Sequence, residues 1–128
     1  MVRSAPSERI MRPMNRLEQL ARQLRQFVQE RDWDQFHSPK NLAMALTVEA
    51  AELQELFQWL TEEQSKRPAP ETLEAVKDEH ADVFLYTLRM AQVLGVDLLE
   101  AAEAKMVKNV RKYPVDKARG NSKKYDRL

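Results

Sequence analysis

Apolar residues recur every three or four positions through most of this chain, which is the spacing of one face of an α-helix. Four segments carry this pattern, and breaks in it separate them. The predicted helices cover residues 15–30, 39–60, 70–94 and 97–113. Because the links between them are short, the pattern predicts an all-α fold, a small four-helix bundle.

Residues typical of helix ends support these boundaries. Three of the predicted helices are preceded or started by a capping residue: Asn15, Ser38 and Asp97. Pro39 falls in the first helical turn, which proline tolerates, and Gly95 suits the position after a helix C-terminus. Residues 31–37 break the helical period and are predicted to form a structured loop, and residues 61–69 are predicted to form a polar linker.

Length and composition favour one helical domain. The 128 residues suit a single domain, and only two of them are glycine, which argues against Gly-rich phosphate loops and a doubly wound sheet. We expect a flexible N-terminal lead at 1–13, a helical domain at 14–114 and an irregular basic tail at 115–128. A chain this short buries a small share of its surface, so association with another copy would bury more surface and increase stability.

No apolar run approaches the length of a membrane span, so no membrane partner is expected. The first residues contain arginines but lack the apolar stretch of a secretory signal. These features predict a cytoplasmic protein.

Charge is unevenly distributed, although the formal net charge is only +1. Residues 105–128 hold nine Lys/Arg against two Asp, whereas the preceding residues hold the other 12 basic side chains against 18 acidic ones. An acidic body could bind metal and a basic segment could bind phosphate, but a solvated basic tail explains the pattern equally well.

Two pairs of acids fall where leucines are expected. At about 100° per residue, Glu49 lies in the middle of the apolar stripe of the second helix, and Glu52 flanks it. Glu79 and Asp82 take the same positions on the third helix. Helices joined by a short linker pack antiparallel, so the two pairs are expected to meet.

Carboxylates that meet in a helix interface repel one another and are costly to desolvate. The chain has no cysteine, so a metal would bind oxygen or histidine, and an all-oxygen site suits Mg²⁺ or Mn²⁺. One alternative is neutralisation by His80, Arg89 or Lys105, and another is that the acids lie at the wet edge of each stripe. The matching positions of the two pairs favour a metal site.

The acids also form an ordered motif: Glu49-Ala-Ala-Glu52, then 26 residues, then Glu79-His-Ala-Asp82. This motif resembles the E-x-x-E…E-x-x-D signature of the MazG-like, all-α NTP pyrophosphohydrolases. Further segments resemble the dCTP pyrophosphatase branch of that family, and the likeness covers roughly residues 15–125. These segments are Arg31-Asp-Trp-Asp-Gln-Phe-His37, Glu52-Leu-Gln-Glu-Leu-Phe-Gln-Trp59, Asp82-Val-Phe-Leu-Tyr86 and Lys105…Asn109-Val-Arg-Lys-Tyr-Pro114.

The resemblance implies Mg²⁺-dependent hydrolysis of a (deoxy)nucleoside triphosphate to its monophosphate and pyrophosphate, as nucleotide-pool house-cleaning. A metal-activated water would attack a phosphate, and the protein would work as a homodimer or homotetramer. The implied metal ligands and catalytic residues are Glu49, Glu52, Glu79 and Asp82. Glu55, one turn beyond Glu52, is a further candidate ligand or base, although a surface glutamate explains it more simply.

The family places a tyrosine, a lysine and an asparagine near the triphosphate, and these match Tyr86, Lys105 and Asn109. Lys105 and Asn109 share a face of the fourth helix with Lys112, and Arg111 lies beside them as another candidate phosphate contact. Basic residues that complement a helix C-terminus are the alternative for this segment.

The family surrounds a pyrimidine base with tryptophans that match Trp33 and Trp59. His37 and Asn41 are candidates for polar contacts to the base or sugar, and a loop or capping role is an equal alternative for each. Leu24 stands where mammalian-type members have a histidine in the base pocket. The resemblance therefore favours dCTP or a modified dCTP, while dUTP, dTTP or a broad range remain open.

Other classes of function make different predictions. A non-enzymatic helical oligomer or adaptor would bind neither metal nor nucleotide. A di-iron bundle would need Glu-x-x-His motifs, and here His80 directly follows Glu79. Binding of nucleic acid through the tail would weaken steeply with salt and need no Mg²⁺, and we do not expect a nucleic-acid partner.

Overall fold

The computed structural model describes residues 12–128, so most of the predicted N-terminal lead lies outside the described residues. The helices are α1 (Arg16–Glu30), α2 (Pro39–Glu55), α3 (Glu62–Ser65), α4 (Pro70–Leu94), α5 (Leu98–Lys112) and α6 (Val115–Ala118). Two 3₁₀ turns lie at Asp34–Phe36 and Tyr125–Arg127. Residues 12–128 contain no strand, and the predicted all-α fold is confirmed.

The predicted capping residues cap their helices. Side-chain oxygens of Asn15, Ser38 and Asp97 each accept a hydrogen bond from the backbone N–H three residues later, at 2.9, 3.1 and 3.0 Å. Each such cap typically contributes about 1 kcal/mol. Gly95 ends α4 in the left-handed conformation, with φ 66° and ψ 33°, as its position predicted.

The second helix ends earlier than the sequence predicted. It stops at Glu55 and not near Leu60, because hydrogen bonds between residues three apart replace the helical pattern, such as Leu60 N–H to Phe57 O at 2.9 Å. The linker that follows contains the short helix α3, which the sequence prediction missed. A capping box between Thr61 and Gln64 starts that helix.

The core forms where α1 and α2 pack on α4. Its buried apolar side chains are Val28 from α1, Leu42 from α2, and Leu88 and Ala91 from α4. The acidic motif lies on the same two helices, α2 and α4, that make the most extensive contact. Within residues 12–128, no helix combines the length and the hydrophobicity needed to cross a bilayer.

The fourth long helix, α5, contributes no buried residue to this core. Four of its apolar side chains are more than half exposed: Leu99, Met106, Val107 and Val110. The basic tail is more regular than predicted, because it contains α6 and the second 3₁₀ turn. Tyr125 of that turn packs edge-on against Tyr113, with ring centroids 6.1 Å apart, and Lys112 Nζ lies 4.7 Å from its ring centroid.

Candidate metal and nucleotide site

Three of the four predicted metal ligands converge between α2 and α4. Glu49 projects from α2, and Glu79 and Asp82 project from α4. One carboxylate oxygen from each lies within 4.8 Å of the others. Two acids three residues apart share a helix face, so the pair on α4 reaches the interface together and meets the acid from α2.

Glu52 belongs to the edge of this acidic cluster. Its side chain is exposed, yet its carboxylate is close enough to raise the pKa of both Glu49 and Glu79. The cluster thus consists of Glu49, Glu52, Glu79 and Asp82. Glu55, one turn further along α2, is exposed and lies outside the group of three close carboxylates.

Crowding of these carboxylates changes their proton affinity. Desolvation, followed by hydrogen bonding to Glu79 and Glu52 and by the charges of Glu52 and Asp82, raises the pKa of Glu49 to about 7. The pKa of Glu79 is also raised: sharing a proton with Glu49 lowers it, but desolvation and the neighbouring acids outweigh that effect. The cluster is therefore short of positive charge.

Protein side chains do not supply that charge. Among residues 12–128, no lysine, arginine or histidine forms an ion pair with an acid of the cluster. His80 is exposed, and Arg89 bonds other partners. The pKa of Lys105 is lowered, first by the charge of Lys112, so this lysine lies beside other cations. The predicted alternative of internal salt bridges is therefore wrong for the described residues.

Two oxygens of the cluster lack any partner. Oε2 of Glu49 and Oε2 of Glu79 are shielded from solvent, and no donor in residues 12–128 reaches them. A buried acceptor without a partner is costly, and most native proteins avoid it. Oxygen donors that converge without a counter-charge fit a hard divalent cation such as Mg²⁺ or Mn²⁺. The residues present therefore fit a metal.

A cavity of about 240 Å³ adjoins the cluster. It lies between α1, α4 and the loop that joins α1 to α2, and four predicted site residues line it: Trp33, His37, Asp82 and Tyr86. Leu24 lines the α1 side, where the resemblance indicated a departure in the base pocket. Asp82 belongs to both the cavity and the cluster, so a ligand in the cavity would lie next to a bound cation.

Contacts between aromatic rings stabilise one wall of this cavity. The ring of Trp33 packs edge-on against Phe27, with centroids 5.6 Å apart. His37 lies next to it, at 6.4 Å between ring centroids and tilted by 58°. Apolar side chains from α1 and α4 complete a lining that suits the flat, mostly apolar faces of a nucleobase.

A buried arginine, Arg89, lines the same cavity and was not predicted as a site residue. Its Nε donates to His37 Nδ1 at 2.9 Å, its Nη1 donates to Gln92 Oε1 at 3.2 Å, and its Nη2 pairs with Asp34. The Gln92 side-chain amide in turn donates to Ala21 O at 2.6 Å. A charged residue inside an otherwise apolar run of α4, Leu88 to Ala91, is the sequence signal that could have identified it.

Other predicted site residues lie apart from the cavity within one chain. Asn41 donates its side-chain amide to Phe36 O at 2.9 Å, which stabilises the loop. Trp59 is 87% exposed. Among residues 12–128, the side chains of three predicted phosphate contacts on α5 make no hydrogen bond to the cluster or the cavity: Lys105, Asn109 and Arg111. Their roles stay predictions.

Comparison with known proteins gives consistent matches. The model of the MazG-like family matches residues 44–128. The chain is 40% identical to human dCTP pyrophosphatase 1 over 127 residues, covering 98% of this chain and 75% of the relative. It is 42% identical to the bovine protein of the same name over 114 residues, covering 88% and 68%.

Solved structures agree with this result. The crystal structure of a pyrophosphatase from Archaeoglobus fulgidus matches with a TM-score of 0.72 and 39% sequence identity. The match covers 83% of this chain and 99% of that one. The sequence match with the human relative spans 98% of this chain, and it therefore includes the helices that carry the acidic cluster and the cavity.

Proposed function

The chain belongs to the MazG-like family and is a nucleoside triphosphate pyrophosphohydrolase, and we propose that it hydrolyses dCTP or a modified dCTP in a Mg²⁺-dependent reaction. The products would be the monophosphate and pyrophosphate, consistent with a house-cleaning role in the nucleotide pool. The observation that carries this proposal is the unneutralised acidic cluster next to an aromatic cavity, with Asp82 common to both.

The acidic cluster is the proposed metal site. Glu49, Glu79 and Asp82 would hold Mg²⁺ directly, and Glu52 would complete the ligand set at the edge of the cluster. When bound, the metal supplies charge neutralisation for the triphosphate and activation of water. Mn²⁺ is expected to substitute, since it also prefers oxygen ligands.

The cavity is the proposed base site. Trp33 would stack on one face of the base, His37 would bond its polar edge, and Tyr86 would lie between the base and the phosphates. This arrangement would direct the triphosphate from the cavity towards the cluster, because Asp82 borders both. The names of the mammalian relatives support dCTP as the substrate to test first.

The complete site is proposed to need more than one copy of the chain. The apolar stripe of α5 is exposed, and within residues 12–128 its basic side chains form no hydrogen bond or ion pair with the acidic cluster. We propose a homodimer or homotetramer in which α5 packs on another protomer. Lys105, Asn109 and Arg111 would then contact phosphates at a neighbouring site, and the exposed Trp59 would face a neighbouring base.

The test is to incubate the protein with each of the four dNTPs and Mg²⁺ and to separate the products. We expect dCMP and pyrophosphate from dCTP, and no turnover when EDTA removes the metal. Diphosphate and phosphate as products would contradict the proposed reaction. Faster turnover of another dNTP would contradict the proposed substrate alone.

A matched pair of variants on α4 tests the cluster. Glu79→Gln removes a negative ligand and should lower kcat at least about 100-fold, a size typical for loss of one strong transition-state interaction. Asp78→Asn changes the neighbouring exposed acid and should retain activity within about twofold. Equal losses in the two variants would place the metal elsewhere.

A further inference from the structure

Arg89 is the one charged side chain that is buried among residues 12–128, with 5% of its surface exposed. Three of its nitrogens have assigned partners: His37, Gln92 and Asp34. Gln92 is itself oriented, because its NH₂ group donates to Ala21 O and its oxygen therefore faces the guanidinium. This network joins α1, the loop at 31–37 and α4, and it fixes the guanidinium in one orientation.

The bond to His37 determines which ring nitrogen carries a proton. Arginine has only donors, so His37 Nδ1 must offer a lone pair to the Nε–H that lies 2.9 Å away. A neutral ring then carries its proton on Nε2. Desolvation and then the charge of Arg89 lower the pKa of His37 against an opposing effect of Asp34, which favours the neutral ring.

The protonated nitrogen of His37 is available to a ligand. The ring lines the cavity, and its position is restricted by Trp33 on one side and by the arginine on the other. In the described part of the chain, no residue accepts a hydrogen bond from Nε2. His37 therefore offers a fixed donor on a wall that is otherwise mostly apolar.

We propose that Arg89 is a positioning residue for base recognition, which holds His37 as an Nε2–H donor and so favours a pyrimidine with an acceptor at that edge. Cytosine offers lone pairs at O2 and N3, whereas N3 of thymine or uracil carries a hydrogen. A fixed donor that faces N3 therefore prefers dCTP to dTTP. This inference rests on the proposed function for its ligand, but the tautomer of His37 can be measured without any ligand.

A purely structural role for Arg89 makes a different prediction. If the arginine only fastens the loop to α4, its loss lowers stability and the amount of folded enzyme. It then leaves the tautomer of His37 and the choice between nucleotides unchanged. The positioning role changes both properties.

The first experiment is a nitrogen-15 NMR spectrum of the two histidine rings in the metal-free, full-length protein at pH 8. In the wild type we expect a fully lone-pair-type Nδ1 and a fully protonated Nε2 for His37. The exposed His80 serves as the internal reference, with nitrogen shifts that average over both tautomers. In Arg89→Met we expect the shifts of His37 to move towards those of His80.

A protonated Nδ1 in the wild type would overturn the inference, whether or not the variant folds. A folded Arg89→Met protein in which the His37 shifts do not move would overturn it as well. Asp34→Asn keeps the Nε donor and should leave the tautomer as in the wild type.

The second experiment is a competition between dCTP and dTTP in one reaction, which gives the ratio of their kcat/KM values. This ratio does not depend on how much of the protein is folded. In Arg89→Met we expect it to fall about tenfold, the equivalent of one hydrogen bond to the base. The change should appear as a higher KM for dCTP, with kcat within about twofold, because the acidic cluster is intact.

Leu88→Ala is the matched control, since Leu88 is buried on the same helix but does not line the cavity. It should lower stability and leave the ratio unchanged. An unchanged ratio in folded Arg89→Met, or a wild-type ratio near one, would overturn the inference while the hydrolase assignment stands. If the wild type hydrolyses no nucleotide, the proposed function fails, and the NMR experiment alone decides whether Arg89 sets the tautomer.

Discussion

The carboxyl group of Glu49 connects the stability of this protein with the proposed binding of a cation. It lies among three other acids, one of its oxygens has no donor within the described residues, and its pKa is raised to about 7. A carboxylate in this position is a good cation ligand because one of its oxygens lacks a partner. The same feature makes it destabilising when it is ionised and no cation is present.

We therefore predict that the metal-free protein becomes less stable as pH rises. The pKa of Glu49 in the folded state is above its ordinary value of 4.5. At pH values between these two pKa values, the folded state therefore binds more protons than the unfolded state. Stability from this source is fully present below pH 4.5 and is lost as pH rises through about 7. Urea unfolding in EDTA at pH 5.5 and at pH 8 measures this loss of stability.

Glu49→Gln serves as the reference in this experiment, because it removes the titrating carboxyl and keeps the other titratable groups. One of these is His37, whose lowered pKa makes the protein more stable as pH rises and so opposes the effect of Glu49. The wild type should lose more stability than Glu49→Gln between the two pH values. Addition of Mg²⁺ at pH 8 should stabilise the wild type, by about 2.7 kcal/mol at 100 times the Kd, and have little effect on the variant. Equal pH slopes in the two proteins would show that Glu49 does not titrate in this range.

At the level of helices, local sequence determines most of the boundaries. Each predicted N-cap is satisfied by a backbone N–H three residues later, and α4 ends where Gly95 can adopt a positive φ. Such signals depend only on neighbouring residues, so they can be recognised without knowledge of tertiary structure. They fix where α2 begins and where α4 ends, and the helical spacing between these points determines which face carries the acids.

Gly95→Ala is predicted to destabilise the protein by about 1–2 kcal/mol, because an L residue is strained at φ 66°. No heavy atom lies within 4 Å of the added Cβ, so the cost comes from the backbone and not from a clash. Gly95→Asn should lose less, since asparagine tolerates this conformation better. Chemical denaturation compares the three proteins, and equal stability of the alanine variant and the wild type would contradict the argument.

The features that the sequence did not predict depend on contacts between distant residues. Arg89 and His37 are 52 positions apart, and only the packing of α4 against the loop brings them together. The end of α2 at Glu55 was missed because the apolar period continues to Leu60, while the chain turns to reach the capping box of α3. The acidic cluster could be predicted because helical spacing determines its faces, whereas the residues of the cavity were indicated only by the resemblance to the family and not by the spacing.

For the whole molecule, the distribution of apolar surface indicates association. A small core under α1, α2 and α4 leaves the apolar stripe of α5 uncovered, and an exposed patch of this kind is typical of an interface. The lysines of α5 lie on its other side, where the charges of Lys112 and Lys108 lower the pKa of Lys105. One helix thus presents an apolar face and a basic face.

We predict that the protein is a dimer or tetramer in solution and that Met106→Glu dissociates it. A charge placed in the apolar stripe would have to be desolvated on association. Lys108→Glu introduces the same side chain on the opposite face of α5 and should leave the assembly intact. Sedimentation equilibrium measures the mass of each variant, and a monomeric wild type, with a mass near 15.0 kDa, would reject the prediction.

The shared position of Asp82 restricts how such an enzyme can change its substrate preference. A mutation of Asp82 itself alters the pocket and the proposed metal site together, so a new preference gained there would come with slower chemistry. The α1 wall, which includes Leu24, borders the cavity without contributing to the acidic cluster. Changes in nucleobase preference, whether in evolution or by mutagenesis in the laboratory, should therefore arise more readily on that wall than at Asp82.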